Sequence, residues 1–183
     1  MKLMITGHRP VKLGGYSPEN PLKQKLMWKF GEILDRAIIA ANRKEENLAV
    51  ISGMALGCDQ WWASVALEKE VEVYAYIPFE GQESKWPSTA QQLYSALISK
   101  CKRIKVSCNA GYAAWKMQKR NRDMVDDADF CIAVWDGSTG GTANCVNYIK
   151  LKRKPLLLIN PNTLEEEWYQ YDDNIQYRNA RVA

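Results

Sequence analysis

Six short runs rich in apolar and β-branched residues alternate along this chain with segments long enough to form helices. The runs cover residues 2–6, 48–52, 72–77, 103–107, 130–135 and 155–159. Two neighbouring parallel strands need a crossover of a dozen residues or more, and a helix is the usual crossover. The alternation therefore predicts an α/β fold, Rossmann-like and doubly wound. Its mainly parallel sheet has about six strands, with helices on both faces. The last two runs are apolar almost without interruption, as strands covered on both faces are.

The intervening segments carry helix signals. Asn20 followed by Pro21 is a cap with proline at the first helical position. After it, Leu22, Leu26, Phe30, Ile33, Leu34, Ala37 and Ala41 fall on one face at helical spacing. Ser88 and Gln91 have capping-box spacing, with Leu93, Tyr94, Leu97 and Ile98 following on one side. Weaker helical patterns cover residues 58–69, 112–127 and 141–152, and a short helix near 164–169 is expected to cap the domain. The expected organisation is a Rossmann-like domain over residues 1–160 and a C-terminal extension over 161–183. Of the seven tryptophans, Trp28 and Trp168 read as packing residues. Trp135, beside a glycine-rich loop, reads as a weak candidate for stacking on a base.

A length of 183 residues suits one domain with a full core. No run of 18 apolar residues is present, so a membrane span is not expected. The first strand starts at once, without a long apolar leader or small-residue cleavage site, so the expected location is cytoplasmic. Five cysteines without a C-x-x-C pair, and the single histidine His8, are poor material for a zinc site. No metal is expected, and reduced thiols fit a cytosolic chain. Net charge is +4, but the tail from Asn160 holds five acids against two arginines, a net of −3 that leaves the preceding body at +7. That suits an anionic ligand and is weak for a nucleic-acid protein.

In doubly wound sheets ligands bind beyond the carboxyl ends of the strands, where strand order reverses. The loops there carry the unusual residues. After the first run comes Thr6-Gly7-His8-Arg9-Pro10. The G-x-G-x-x-G fingerprint is absent, which argues against a nicotinamide dehydrogenase. Arg9 offers a cation; the bland alternative is a connecting loop with a satisfied histidine. After the second run, Ser52, Gly53 and Gly57 lead to Cys58 and Asp59 and into a helix. That arrangement favours phosphate, or else is a tight turn capped by Asp59. After the fifth run, Asp136, Gly137, Ser138, Thr139, Gly140, Gly141 and Thr142 again run into a helix, and such a loop can wrap an anion with backbone N–H groups. It lacks a P-loop lysine, so ATPase chemistry is not implied. Arg120 and Asn121, on a basic helical segment, are placed to reach the same edge or to remain a solvated face.

Taken together, these segments resemble the SLOG superfamily, whose name joins the SMF/DprA proteins and the LOG enzymes. The chain looks most like its small YpsA-like branch, found in bacteria and phages. The resemblance rests on residues 6–10, 52–59, 120–124 with Asp129, and 136–142. It implies a Rossmann-like fold, a nucleotide-related ligand and a homodimer. LOG enzymes carry P-G-G-x-G-T-x-x-E with a catalytic glutamate. Here Trp135, Asp136 and Gly137 stand at the start of that pattern, and Cys145 stands at the glutamate position. Arg120 matches the arginine that works with the glutamate. Cleaving an N-glycosidic bond calls for a carboxylate, and Asp59 or Asp136 would have to supply it.

Three functions follow as expectations. The first is binding of a nucleotide or ADP-ribose-like molecule through Arg9 and the 140–142 turn, with residues 52–57 along the ribose and no certain cofactor. The second is an N-glycosidic hydrolase or transferase using Asp136 or Asp59 with Arg120. The third is single-stranded DNA binding as in the DprA relatives.

Overall fold

The structure, a computed structural model, describes residues 1–172 and 175–180. Asp173 and Arg181, counted in the charge of the tail, lie outside the described residues. In chain order the elements are β1 (Lys2–Gly7), α1 (Pro21–Arg43), β2 (Ala49–Ser52), α2 (Cys58–Glu68), β3 (Glu72–Ile77) and α3 (Ser88–Ile98). There follow β4 (Arg103–Val106), α4 (Ala114–Asp127), β5 (Phe130–Val134), α5 (Gly141–Leu151), β6 (Leu156–Ile159), β7 (Glu166–Asp172) and β8 (Ile175–Ala180). The strands form one sheet in the order β4-β3-β2-β1-β5-β6-β7-β8. The first six positions are parallel throughout, and β7 and β8 are antiparallel.

Period-two alternation along the strands sorts side chains to the two faces. Leu3, Ile5, Val50, Ile132, Val134, Leu157 and Ile159 join α1, α2 and α3 in one core. Met4, Ile51, Cys131, Ala133 and Leu156 turn the other way, toward Met124 and Val125 of α4 and Val146 and Ile149 of α5. The result is the expected three layers. Asn20 caps α1 as its sequence suggests: its Oδ1 accepts from Leu22 N at 2.9 Å and Lys23 N at 3.2 Å.

Strand order runs outward from β1 through β2 and β3 to β4, then resumes on the other side of β1 with β5. The switch point therefore lies between β1 and β5, whose last paired residues are Gly7 and Val134. Loops leaving both strands there diverge to opposite faces and leave a crevice between them.

Three expectations are corrected. The helix near residues 164–169 is instead strand β7, with Leu157 paired to Trp168 and Ile159 to Glu166. An open β6 edge presents unpaired backbone groups, and pairing them decides the conformation of this segment. Trp168 rests edge-on against Phe130, ring centroids 5.2 Å apart, and Glu166 meets Lys29 at 3.1 Å and Arg36 at 3.0 Å. Ser88 does not cap α3. Pro87 holds that position, and Gln91 donates to the carbonyls of Ser84 and Trp86 instead. Trp28 is 66% exposed and does not serve as packing.

Candidate functional site

The switch-point crevice is a cleft of about 460 Å³. Gly7, His8, Arg9 and Lys12 line it from the loop after β1. Ala55 and Asp59 reach it from the loop before α2 and from the first turn of α2. Met117, Arg120 and Asn121 face it from α4, one helical turn apart. Thr139, Gly140, Gly141 and Thr142 close it at the start of α5. Segments separated by more than a hundred residues thus meet at one edge of the sheet.

The floor is a buried ion pair. Arg120 Nη1 lies 3.3 Å from Asp59 Oδ2, with side chains 6% and 10% exposed. The Arg120 guanidinium is pressed against the backbone of Gly53: a Cβ there would fall 1.5 Å from Nη1, a distance no side chain tolerates. Burial pushes the Asp59 carboxyl above the ordinary range, and the charges of Arg120 and Arg9 oppose that rise. The same burial lowers Arg120, and Asp59 counteracts it. Arg120 Nε is buried and makes no hydrogen bond among the described residues. A buried charged donor without a partner costs stability, so the guanidinium retains bonding capacity directed into its surroundings.

Ser52 and Gly57 shape this floor from behind. Ser52 is fully buried; its hydroxyl donates to the carbonyl of Asp59 at 2.7 Å and accepts from Met54 N at 3.1 Å. Gly57 has φ +99°, and a Cβ there would meet the carbonyl oxygen of His8 at 2.7 Å. That close approach holds the loop after β1 against the start of α2.

The two helix starts differ in a way their similar glycine turns conceal. α2 carries Asp59 in its first turn, and that carboxylate accepts from Ala55 N at 3.4 Å. An acid already sits at the positive end of that helix. At α5 no side chain caps the helix, the N-cap Gly140 has φ +138°, and no acid lies in the first turn. The ladder begins only with Asn144 N donating to Gly140 O, so the preceding amides have no intrahelical acceptor. Cβ atoms built at Gly140 and Gly141 would meet nothing within 4 Å. Their smallness thus serves no packing inside the chain.

Beside the cleft, a polar network ties the loops after β1 and β5 together. His8 Nε2 lies 2.7 Å from Asp136 Oδ1, which also accepts from Ser138 N at 2.9 Å and from the Ser138 hydroxyl. Lys12 Nζ donates to Ser138 Oγ at 2.6 Å, and Trp135 Nε1 to the carbonyl of Ser138 at 2.7 Å. The two bonds from Ser138, with His8 adding to them, hold the Asp136 carboxyl well below the ordinary carboxylate range. Arg9 is exposed and makes no hydrogen bond or ion pair among the described residues.

Of the residues singled out from sequence, Gly7, His8, Arg9, Asp59, Arg120, Asn121, Gly140, Gly141 and Thr142 line the cleft. Ser52, Gly53 and Gly57 stand behind it, and Asp136, Gly137 and Ser138 stand beside it. Ala55, inside the 52–57 segment expected along the ribose, lines it too; Val11, Lys12 and Met117 line it and were not anticipated. A second cation three residues after Arg9 was a readable signal for Lys12; Val11 and Met117 are apolar and gave none. Cys145 is buried behind Thr142, 2% exposed, and burial pushes its thiol up to about 12. It is a neutral thiol at ordinary pH. Among the described residues no cluster of three metal-ligating side chains occurs, and no helix is long and apolar enough to cross a membrane.

Residues 3–163 match the family model described as the YspA SLOG family. The chain is 32% identical over 148 residues to the uncharacterized SPbeta prophage-derived protein YoqJ of Bacillus subtilis, covering 72% of this chain and 84% of that protein. It is 25% identical over 177 residues to the UPF0398 protein OB1025 of Oceanobacillus iheyensis, covering 90% and 91%. Among solved structures it resembles DNA processing protein A of Streptococcus pneumoniae, with TM-score 0.62 and 15% identity. That of Helicobacter pylori, whose structure concerns single-stranded DNA binding, gives TM-score 0.60 and 18% identity. These likenesses cover 87% of this chain but 50% and 65% of the two neighbours, and they establish a shared Rossmann-like fold. The chain belongs to the YspA SLOG family.

Proposed function

We propose that this SLOG-family chain binds a nucleotide or nucleotide-derived small molecule in the switch-point cleft, its phosphate seated at the start of α5. The observation that carries this reading is the uncapped turn at 140–142, open to Arg9 and Lys12 across the cleft. Free amides and a positive helix end favour an anion; the two cations add to that field. A volume of about 460 Å³ falls in the range of small-molecule sites. The ribose would run past Met117 and Asn121, because Ser52 is consumed within its own loop. Arg120, which lines the cleft, would add its charge to that field.

A thermal-shift panel of AMP, ADP-ribose, NAD and cyclic nucleotides tests this. A true ligand at 100 times its Kd adds about 2.7 kcal/mol of stability, and its effect should vanish in Arg9→Ala. No shift with any of them contradicts the reading.

One observation favours a second reading, cleavage of an N-glycosidic bond. Asp59 is a carboxyl group of raised pKa within the cleft, beside Arg120, and a poised carboxyl is what such chemistry requires. Asp136 is less suited, being held ionised and bonded to Ser138. Release of free base from nucleoside monophosphates, abolished in Asp59→Asn, is the discriminating result. Single-stranded DNA binding is less supported. The cations of α4 are engaged: Lys116 bonds the carbonyls of residues 109–111, Lys119 pairs with Asp123, and Arg122 lies over Tyr148. A steep loss of affinity with salt would reveal such binding.

A further inference from the structure

The seam between α4 and α5 carries an unusual set of side chains. Gln118 and Asn121 project from α4, and Asn144 and Asn147 from α5, into one groove of about 270 Å³. None of these four carboxamides makes a side-chain hydrogen bond to another described residue. Arg122, Tyr148, Cys145 and the exposed Leu151 complete the walls, the Arg122 guanidinium 5.5 Å from the centre of the Tyr148 ring. The groove is not separate from the cleft. Asn121 lines both, and Thr142 in the cleft precedes Asn144 in the groove by two residues. From Thr142 to Asn147 the helix rises about 7.5 Å, a span that a ribose bridges between phosphate and base.

We infer that this groove is a nucleobase subsite, so that the ligand proposed above is held at both ends: phosphate at the start of α5, base between α4 and α5. The inference rests on that reading and adds the chemistry of recognition. A carboxamide presents a donor and an acceptor side by side, which matches the paired donor and acceptor on a base edge. Four of them on two rigid helices define positions more sharply than loop residues would. The planar guanidinium of Arg122 is a surface on which a base stacks. No carboxylate lines the groove; Asp126, which accepts from the Tyr148 hydroxyl at 3.1 Å, is paired with Lys152 at 3.2 Å. An acidic or purely apolar seam would have pointed elsewhere.

The test is calorimetric titration with ribose 5-phosphate and with the four common nucleoside 5′-monophosphates, on the native chain and on Gln118→Ala/Asn147→Ala. Asn147 is exposed and Gln118 half-buried, and neither bonds within the chain, so the double variant should fold. The expected result is at least one monophosphate binding tenfold or more tightly than ribose 5-phosphate. In the double variant that preference should shrink toward one, with ribose 5-phosphate affinity unchanged. Ribose 5-phosphate binding without any preference for a base would overturn the subsite while leaving the phosphate site standing. Failure of every probe would overturn both. If the double variant keeps the preference but changes the sedimentation of the chain, the groove is a contact between two copies, and the inference fails.

Discussion

At the residue scale, two glycines of similar appearance in the sequence have opposite reasons for being small. Gly53 is small because Arg120 lies across it; Gly141 has no protein atom within 4 Å of where a Cβ would stand. Gly53→Ala must displace the guanidinium from Asp59, and disrupting a buried pair costs about 3 to 5 kcal/mol. Its Tm should fall by many degrees. Gly141→Ala should leave Tm unchanged or slightly higher, since alanine is favoured over glycine by about 0.5 to 1 kcal/mol inside a helix. Its nucleotide affinity should drop tenfold or more, because the added methyl crowds the amides. Thermal melts with and without ligand separate the two. If both variants lose stability equally, the open face at Gly141 is wrong. The sequence showed that glycines gather in these turns. It could not show which of them a neighbouring side chain requires, because Arg120 and Gly53 are 67 positions apart.

At the scale of elements, the loops after β1 and β5 are joined by Lys12, Ser138, Asp136 and His8. Asp136 is held below the ordinary carboxylate range. Its contribution to stability is therefore present above the unfolded value of about 3.9 and is lost as pH falls through the depressed folded value. The native chain should melt above Asp136→Asn at pH 7, and the gap should narrow when both are melted at pH 3. A gap independent of pH would mean that the carboxylate charge does not hold this junction. The strands of this layer were legible to within a residue or so, since β-branched apolar runs bounded by helices have few other readings. β7 was not. Residues 164–169 hold three consecutive acids followed by two aromatics, a run with neither a helical nor a strand period, and only the open edge of β6 decides between them. The start of α2 was half legible: its glycine turn was visible, but Asp59 turns its first-turn site over to the chain's own carboxylate.

At the scale of the whole molecule, the site follows from strand order. The chain fills one side of β1 with β2, β3 and β4 before crossing to β5 on the other. That reversal forces the β1 and β5 loops apart and opens the cleft between them. The alternation of runs made a switch point predictable without showing which strands flank it. The described part of the charged tail, set apart in the sequence by its acids, extends the sheet from β6. Amide chemical shifts read this geometry most directly. In a titration with the monophosphate that binds best, the largest saturable changes should fall on residues 7–12 and 140–142, and should be lost in Arg9→Ala. Saturable changes centred on another edge of the sheet, with these two loops unmoved, would contradict a phosphate site at the start of α5.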